Sequence, residues 1–123
     1  MTNANSHDWS KIINAIAQVE SGGNPKAVNK TGNCVGLLQI TPILVKECNL
    51  ILESKGEEKR YTLEDRLDPD KSKEMFVLIQ GKYNKSNDEE TAIRLWNGGV
   101  GNLKNKEKTQ VYYEKVLKAM NNA

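Results

Sequence analysis

One carboxylate stands out in the sequence because an apolar, helix-forming run ends on it. The run includes Trp9, Ile12, Ile13 and Ile16, whose spacing is that of one helix face. At 100° per residue, Glu20 lies about 20° from Trp9 and therefore inside the apolar stripe. Burial raises the pKa of a carboxyl group, and a carboxyl that keeps its proton near neutral pH can serve as a general acid. The alternative is a helix-end Glu that turns outward or pairs with a lysine.

Helices must position this carboxylate, because no segment shows sustained alternation of apolar and polar residues. The sequence predicts a mainly α fold of about five helices in a single domain, residues 1–123. The first helix is predicted over residues 8–21, with Ser6 or Asp8 as its cap. The second helix is predicted from Thr41 and Pro42 to about Glu53, and the third begins at Asp68 and Pro69 with Met75, Phe76, Ile79 and Tyr83 facing inward. The fourth helix is predicted from Asn87 or Asp88 to Gly98 and Gly99. The last helix has an apolar face made of Val111, Tyr112, Val116, Leu117 and Met120.

The remaining charged residues are assigned structural roles. The segment from Lys55 to Leu67 is highly charged and contains a glycine, which predicts a surface loop. Glu47 and Glu53 are expected on solvated faces of the second helix, and Asp68 is expected to cap the third. None of these carboxylates lies in a motif as specific as that of Glu20.

Composition and charge exclude several classes of function. The formal net charge of +2 is spread along the chain, whereas nucleic-acid binding usually calls for a clustered basic face. No apolar tract is long enough for a membrane span, and the N-terminus lacks the features of a secretory signal. Cys34 and Cys48 fit neither a zinc cluster nor a redox pair, which leaves two buried thiols or one structural disulfide. We expect no metal and no organic cofactor.

Five motifs occur in an order that resembles the soluble lytic transglycosylase domain family. They extend from about residue 12 to 117, nearly the whole chain. Glu20–Pro25 resembles the family's ES and N-P signature, Gly36–Pro42 its GLMQ or GLLQ signature, and Leu95–Gly99 its AYN-G signature. Asp65–Lys71 resembles the family's segment before the middle helix, and Thr109–Tyr112 resembles its T-x-x-Y step.

The resemblance implies a lysozyme-like fold with a cleft for the glycan of peptidoglycan. Glu20 would protonate the oxygen between N-acetylmuramic acid and N-acetylglucosamine, then act as base on the muramoyl C6 hydroxyl, which closes a 1,6-anhydro ring. Most glycosidases need a second carboxylate about 5 Å or about 6.5–9.5 Å away. An internal hydroxyl nucleophile, with the substrate's N-acetyl group stabilising the cation, removes that need.

The resemblance also implies roles for residues around Glu20. Gln39 would contact the sugar or position the acid, and Asn97 would bind the substrate's N-acetyl group. Tyr112 would approach Glu20 through its hydroxyl and help set its pKa. Further substrate-binding candidates are Leu38, lining the cleft, Ser21, bonding near Glu20 or closing the helix, and Trp96.

Trp96 is the clear departure from the family pattern, since the usual residue there is Tyr. An indole ring can stack on a sugar, but its N–H cannot accept a hydrogen bond as a Tyr oxygen does. Two alternatives remain open: a muramidase that hydrolyses the same bond with water, or a non-catalytic peptidoglycan-binding or assembly module. The place of action would be the bacterial cell wall, reached by a periplasmic, secreted or phage-delivered protein. Three alternatives remain open for its context: cell growth, a secretion or conjugation apparatus, or a phage particle.

Overall fold

The helices of this protein begin and end close to the positions that their cap residues predict. The computed structural model describes residues 7–122. In that range it contains α1 (Ser10–Ser21), α2 (Pro42–Ser54), α3 (Pro69–Tyr83), α4 (Glu89–Gly98) and α5 (Lys106–Asn121). Two short 3₁₀ helices cover Leu63–Leu67 and Val100–Asn102. The mainly α fold class is confirmed.

Side-chain caps set the starts of three helices. The Thr41 hydroxyl accepts from the backbone N–H of Leu44 at the start of α2. Asp68 accepts from two backbone N–H groups at the start of α3. Asp88, and not Asn87, caps α4. These three helix starts follow directly from local sequence chemistry.

The start of α1 is less regular. Trp9 occupies the cap position without a side-chain cap bond, while Asp8 accepts from the backbone N–H of Ser10 at 3.0 Å. The other proposed cap, Ser6, lies outside the described residues. At the far end, Gly22 adopts a left-handed conformation with φ of 63°, and its N–H bonds back to the last helical turn. Glu20 is therefore held one residue before the end of α1.

The core collects the apolar faces of all five helices. Met75, Phe76 and Ile79 are buried as predicted, whereas Tyr83 is only half-buried. In α5 the predicted face is wrong at Val111, whose side chain is 65% exposed. Thr109 is buried instead, because its side chain packs against Gly98 of α4 and its hydroxyl accepts from Arg94.

The segment before α3 is not simply the predicted surface loop. Tyr61 and Arg66 are both buried there. The Asn49 side chain holds the Tyr61 backbone from both sides, donating to its carbonyl at 2.9 Å and accepting from its N–H at 2.7 Å. Because most residues around them are charged, nothing in the sequence indicates that these two side chains point inward.

Two other expectations concern the thiols and the membrane. Cys34 and Cys48 are both free, so the disulfide alternative is not realised in this structure. Burial raises the pKa of the Cys48 thiol to about 12, and it is therefore protonated at neutral pH. Within residues 7–122, no helix combines the length and the apolar character that crossing a membrane requires.

Candidate active site

Glu20 lies where the end of α1 packs against α5. The Tyr112 hydroxyl donates to Glu20 Oε2 at 2.9 Å, which joins residues far apart in the sequence. Burial raises the pKa of Glu20, and the hydrogen bond from Tyr112 offsets part of that rise. Burial and the nearby carboxylate also raise the pKa of Tyr112, so its hydroxyl remains a donor. Among residues 7–122 no ion pair includes Glu20, which contradicts the alternative of a lysine partner.

The loop from Gly36 to Ile40 connects this carboxylate to the rest of the site. The Ser21 hydroxyl donates to the carbonyl of Leu37 at 2.7 Å, across the turn that follows α1. The Trp96 indole N–H donates to the next carbonyl, that of Leu38, at 3.1 Å. One loop thus receives a side chain from the end of α1 and one from α4.

Gln39 closes the same loop on itself. Its side-chain amide nitrogen donates to the carbonyls of Ala27 and Gly36, at 3.1 and 3.0 Å. Both N–H groups are thereby used, so only the amide oxygen of Gln39 remains to contact a ligand. Gln39 also has a φ of 53°, an unusual conformation for a residue with a side chain. Hydrogen bonds of this kind are what hold such a backbone in place.

Arg66, which lies in the 3₁₀ helix Leu63–Leu67, holds the loop through hydrogen bonds to backbone carbonyls. Its guanidinium donates to the carbonyls of Ile40 and Asn33, each at 3.1 Å, and to Leu63 at 2.9 Å. Its own carbonyl lies against Gly36, where an added Cβ would be 1.7 Å from the Arg66 oxygen. The side chain of Arg66 and the absence of one at Gly36 therefore fix the loop to the 3₁₀ helix before α3.

An open groove of about 430 Å³ lies beside this loop. Gln39, Trp96 and Asn97 line it together, and the Asn97 side chain is exposed. The Trp96 ring packs on Phe76 with centroids 5.0 Å apart, which leaves it half-buried as part of the groove wall. The other lining residues come from α2, α3 and the α4 end: Thr41, Ile43, Leu44, Glu47, Ile79, Tyr83, Leu95, Gly98, Gly99 and Val100.

Four of the predicted site residues lie outside the lining of the groove: Glu20, Ser21, Leu38 and Tyr112. Glu20 and Tyr112 are connected to it through Ser21 and its bond to the loop. Leu38 requires a correction, because its side chain has 0% exposure and cannot contact a sugar in this conformation. Leu38 packs in the core and contributes only its carbonyl to the site. Ser21 likewise positions the loop with its hydroxyl.

Two contributors to the site were missed in the sequence. Arg66 stands in a motif, but nothing in the sequence distinguishes a buried guanidinium from the exposed charges around it. Glu47 was assigned to a solvated face, yet it lines the groove and accepts hydrogen bonds from Lys82 and Tyr83. The available signal was the distance of four residues between Ile43 and Glu47, which puts both side chains on one face of α2.

Replacing Tyr112 with Phe should change the pH dependence of any activity that needs protonated Glu20. The lost hydrogen bond stabilises the charged carboxylate, so its removal raises the pKa of Glu20 further. We expect the alkaline decline in kcat/KM to move to higher pH in Tyr112→Phe. Tyr113→Phe is the matched control, because this neighbouring ring packs under Arg94 and not on Glu20. A profile that shifts equally in both variants, or toward lower pH, would contradict the role of Tyr112.

A search of the curated proteins found no match. Comparison with models of protein families, in contrast, agrees with this geometry. The family model described as the transglycosylase SLT domain matches residues 1–117, nearly the whole chain. The mainly helical architecture is that of a small lysozyme-like α domain. The chain belongs to the transglycosylase SLT domain family, a family of transglycosylase-type enzymes that act on peptidoglycan.

Proposed function

We propose that this protein is a peptidoglycan lytic transglycosylase that cleaves the β-1,4 bond between N-acetylmuramic acid and N-acetylglucosamine. Glu20 is the catalytic residue, acting first as acid and then as base. The observation that carries the proposal is the partly buried Glu20 carboxyl, whose pKa is raised and whose Oε2 receives the Tyr112 hydroxyl. Such a group keeps a proton to higher pH than an exposed Glu does.

The first step transfers the Glu20 proton to the glycosidic oxygen. The bond from that oxygen to muramoyl C1 breaks, and N-acetylglucosamine leaves with the proton as a hydroxyl group. Positive charge develops at C1, and the substrate's own acetamido oxygen stabilises it. In this step Asn97, which is exposed in the groove, hydrogen-bonds that acetamido group, while the free amide oxygen of Gln39 accepts from a sugar hydroxyl or N–H.

The second step returns the proton to Glu20. The ionised carboxylate takes it from the muramoyl C6 hydroxyl, and the C6 oxygen bonds to C1 to close the 1,6-anhydro ring. Atoms balance without water. During the interval in which Glu20 is charged, the Tyr112 hydroxyl stabilises it. One carboxyl therefore serves both steps, because a group whose pKa lies near the working pH can first give up a proton and then take one back.

Glu47, the carboxylate that lines the groove, supports this mechanism over hydrolysis. Glu47 accepts from Lys82 and Tyr83, and these two donors hold its pKa below the ordinary value. A carboxylate of lowered pKa is a weak base and so is poorly suited to activating water. An internal hydroxyl nucleophile fits this groove better than an external one.

The test is the mass of the released products. Purified peptidoglycan is digested to completion, and the fragments are measured by mass spectrometry. We expect anhydro-muramoyl ends, which are lighter by one water than the reducing ends that hydrolysis leaves. Exclusively reducing ends would identify a muramidase instead. Absence of all cleavage, with retained glycan binding, would identify a binding or assembly module.

This function places the protein at the bacterial cell wall. We propose that it reaches the wall as a periplasmic, secreted or phage-delivered domain, with residues 1–123 forming one catalytic unit. The setting that we propose is a secretion or conjugation apparatus or a phage particle, each of which has to open the wall. The glycan strand is the partner that the groove accommodates.

A further inference from the structure

A second groove, the α1–α5 groove, lies between these two helices and has no part in the mechanism above. Its volume is about 620 Å³, and the small side chains of Ala15 and Ala119 form its floor. At 100° per residue, the residues that α1 contributes point about 120° or more away from Glu20. The groove therefore opens on a different face of the protein. Its other lining residues are Lys11, Asn14, Gln18, Lys115, Lys118 and Asn122.

The α1–α5 groove is lined by cations without a countercharge. Lys11, Lys115 and Lys118 are exposed around it, and no Asp or Glu from residues 7–122 is among its lining residues. Within the same range, none of these three lysines takes part in an ion pair. Cations that surround one concavity produce a positive potential in it, and this potential attracts an anionic ligand.

The amide side chains indicate which kind of anion fits. Asn14, Gln18 and Asn122 are exposed in the groove, and a carboxamide both donates and accepts hydrogen bonds. A phosphate diester carries acceptors only, so it would leave the amide oxygens without a partner. A peptide carries N–H donors together with carbonyl and carboxylate acceptors. The combination of lysines and amides therefore favours a carboxylate-bearing peptide over a phosphate polymer.

The size of the groove favours a short peptide. Its volume of about 620 Å³ falls among those of small-molecule pockets, about 300–1,000 Å³. A folded protein partner would need a far more extended surface, since stable protein interfaces bury about 1,200–2,000 Å² in total. Short acidic peptides are part of the material on which this family acts, because the muramoyl units of peptidoglycan carry stem peptides with free carboxylates.

We propose that the α1–α5 groove binds a stem peptide of peptidoglycan through its carboxylates. This inference rests on the proposed function for the source of the peptide. The three lysines bind the carboxylates, and the three amides pair with peptide N–H and C=O groups. Because the groove faces away from Glu20, the peptide belongs to a strand beside the one that is cleaved. Its binding keeps the domain on the wall between cleavage events.

Calorimetry with the stem peptide N-acetyl-L-Ala-γ-D-Glu-diaminopimelate tests the site at low ionic strength, where charge interactions are least screened. The probe contains no sugar, so it does not report on the glycan groove. We expect Lys118→Gln to weaken binding about fivefold. Lys108→Gln is the matched control, because it removes an exposed charge from the same helix outside the groove, and it should leave binding unchanged. A probe with amidated carboxylates should bind more weakly than the acidic one.

Ala119→Leu tests whether the ligand enters the groove. The larger side chain fills the floor without changing any charge, and we expect it to weaken binding of the same peptide. Thermal unfolding of this variant separates a blocked groove from a damaged fold. Unchanged affinity in a folded Ala119→Leu protein would overturn the site, since the peptide would then be bound elsewhere.

The other outcomes are also decisive. If the unaltered protein does not bind the acidic peptide, the site is overturned. Equal losses in Lys118→Gln and Lys108→Gln would overturn it in favour of diffuse surface charge. Binding of polyphosphate but not of the peptide would overturn it in favour of a phosphate ligand. Failure of the proposed function is seen separately: absence of cleavage, with peptide binding that depends on Lys118, would overturn the function and support the site.

Discussion

Glu20→Gln should abolish glycan cleavage while leaving the groove intact. The amide has the shape of the carboxyl but no acidic proton, and loss of a general acid typically costs about 10²–10⁴-fold in rate. Since Glu20 serves in both steps of the proposed mechanism, we expect a loss at the upper end of that range. Release of soluble fragments from purified peptidoglycan measures it. Activity within a few-fold of the unaltered protein would overturn the assignment of Glu20.

The same substitution should not destabilise the fold. The pKa of Glu20 is raised by burial, so its ionisation opposes folding, and that cost appears as the pH rises through its pKa. Gln carries no charge, and the Tyr112 hydroxyl can still donate to its amide oxygen. We therefore expect an equal or higher Tm for Glu20→Gln at neutral pH. The difference should disappear below the ordinary Glu pKa of 4.5, where both side chains are neutral. A lower Tm at neutral pH would show that the carboxylate stabilises the fold.

Gly36→Ala should be the most damaging small substitution in the loop beside the groove. An Ala Cβ would lie 1.7 Å from the Arg66 carbonyl oxygen, and the backbone φ of 90° is strained for any L side chain. The loop and the 3₁₀ helix Leu63–Leu67 would have to separate. We expect a loss of about 3 kcal/mol or more in the free energy of unfolding, or roughly 10 °C in Tm.

Gly56→Ala is the control that separates backbone strain from steric overlap. Gly56 has a similar φ of 73°, but nothing lies within 4 Å of its added Cβ. Its substitution should cost only about 1 kcal/mol. Chemical denaturation of both variants, with activity measured under native conditions, makes the comparison. If the two losses were equal, the close approach of Arg66 to Gly36 would not be a determinant of the loop.

The helix starts were predictable because their causes are local. Thr41, Asp68 and Asp88 bond to backbone groups two or three residues away, so the information lies within a few letters of sequence. The position of Glu20 in an apolar stripe was readable for the same reason. Its pairing with Tyr112 was implied by family resemblance and is now observed.

The errors concern residues whose environment is set by distant segments. The burial of Arg66 depends on carbonyls of Asn33 and Ile40, which its neighbours in the chain do not reveal. Leu38 was expected at the cleft, but the loop turns its side chain into the core and presents its carbonyl to Trp96. Periodicity cannot assign a face in a loop, because a loop has none.

The loop beside the groove is held mainly through its main-chain carbonyls, and this has a consequence for sequence divergence. A carbonyl is present whatever residue occupies the position, and it accepts from any donor that reaches it. Trp96 meets Leu38 in this way through its indole N–H. Another side chain at position 96 would be an equivalent donor if its N–H or O–H reached the same carbonyl. The side chains around such a loop can therefore be exchanged one at a time, while the main-chain acceptors that order the groove stay in place.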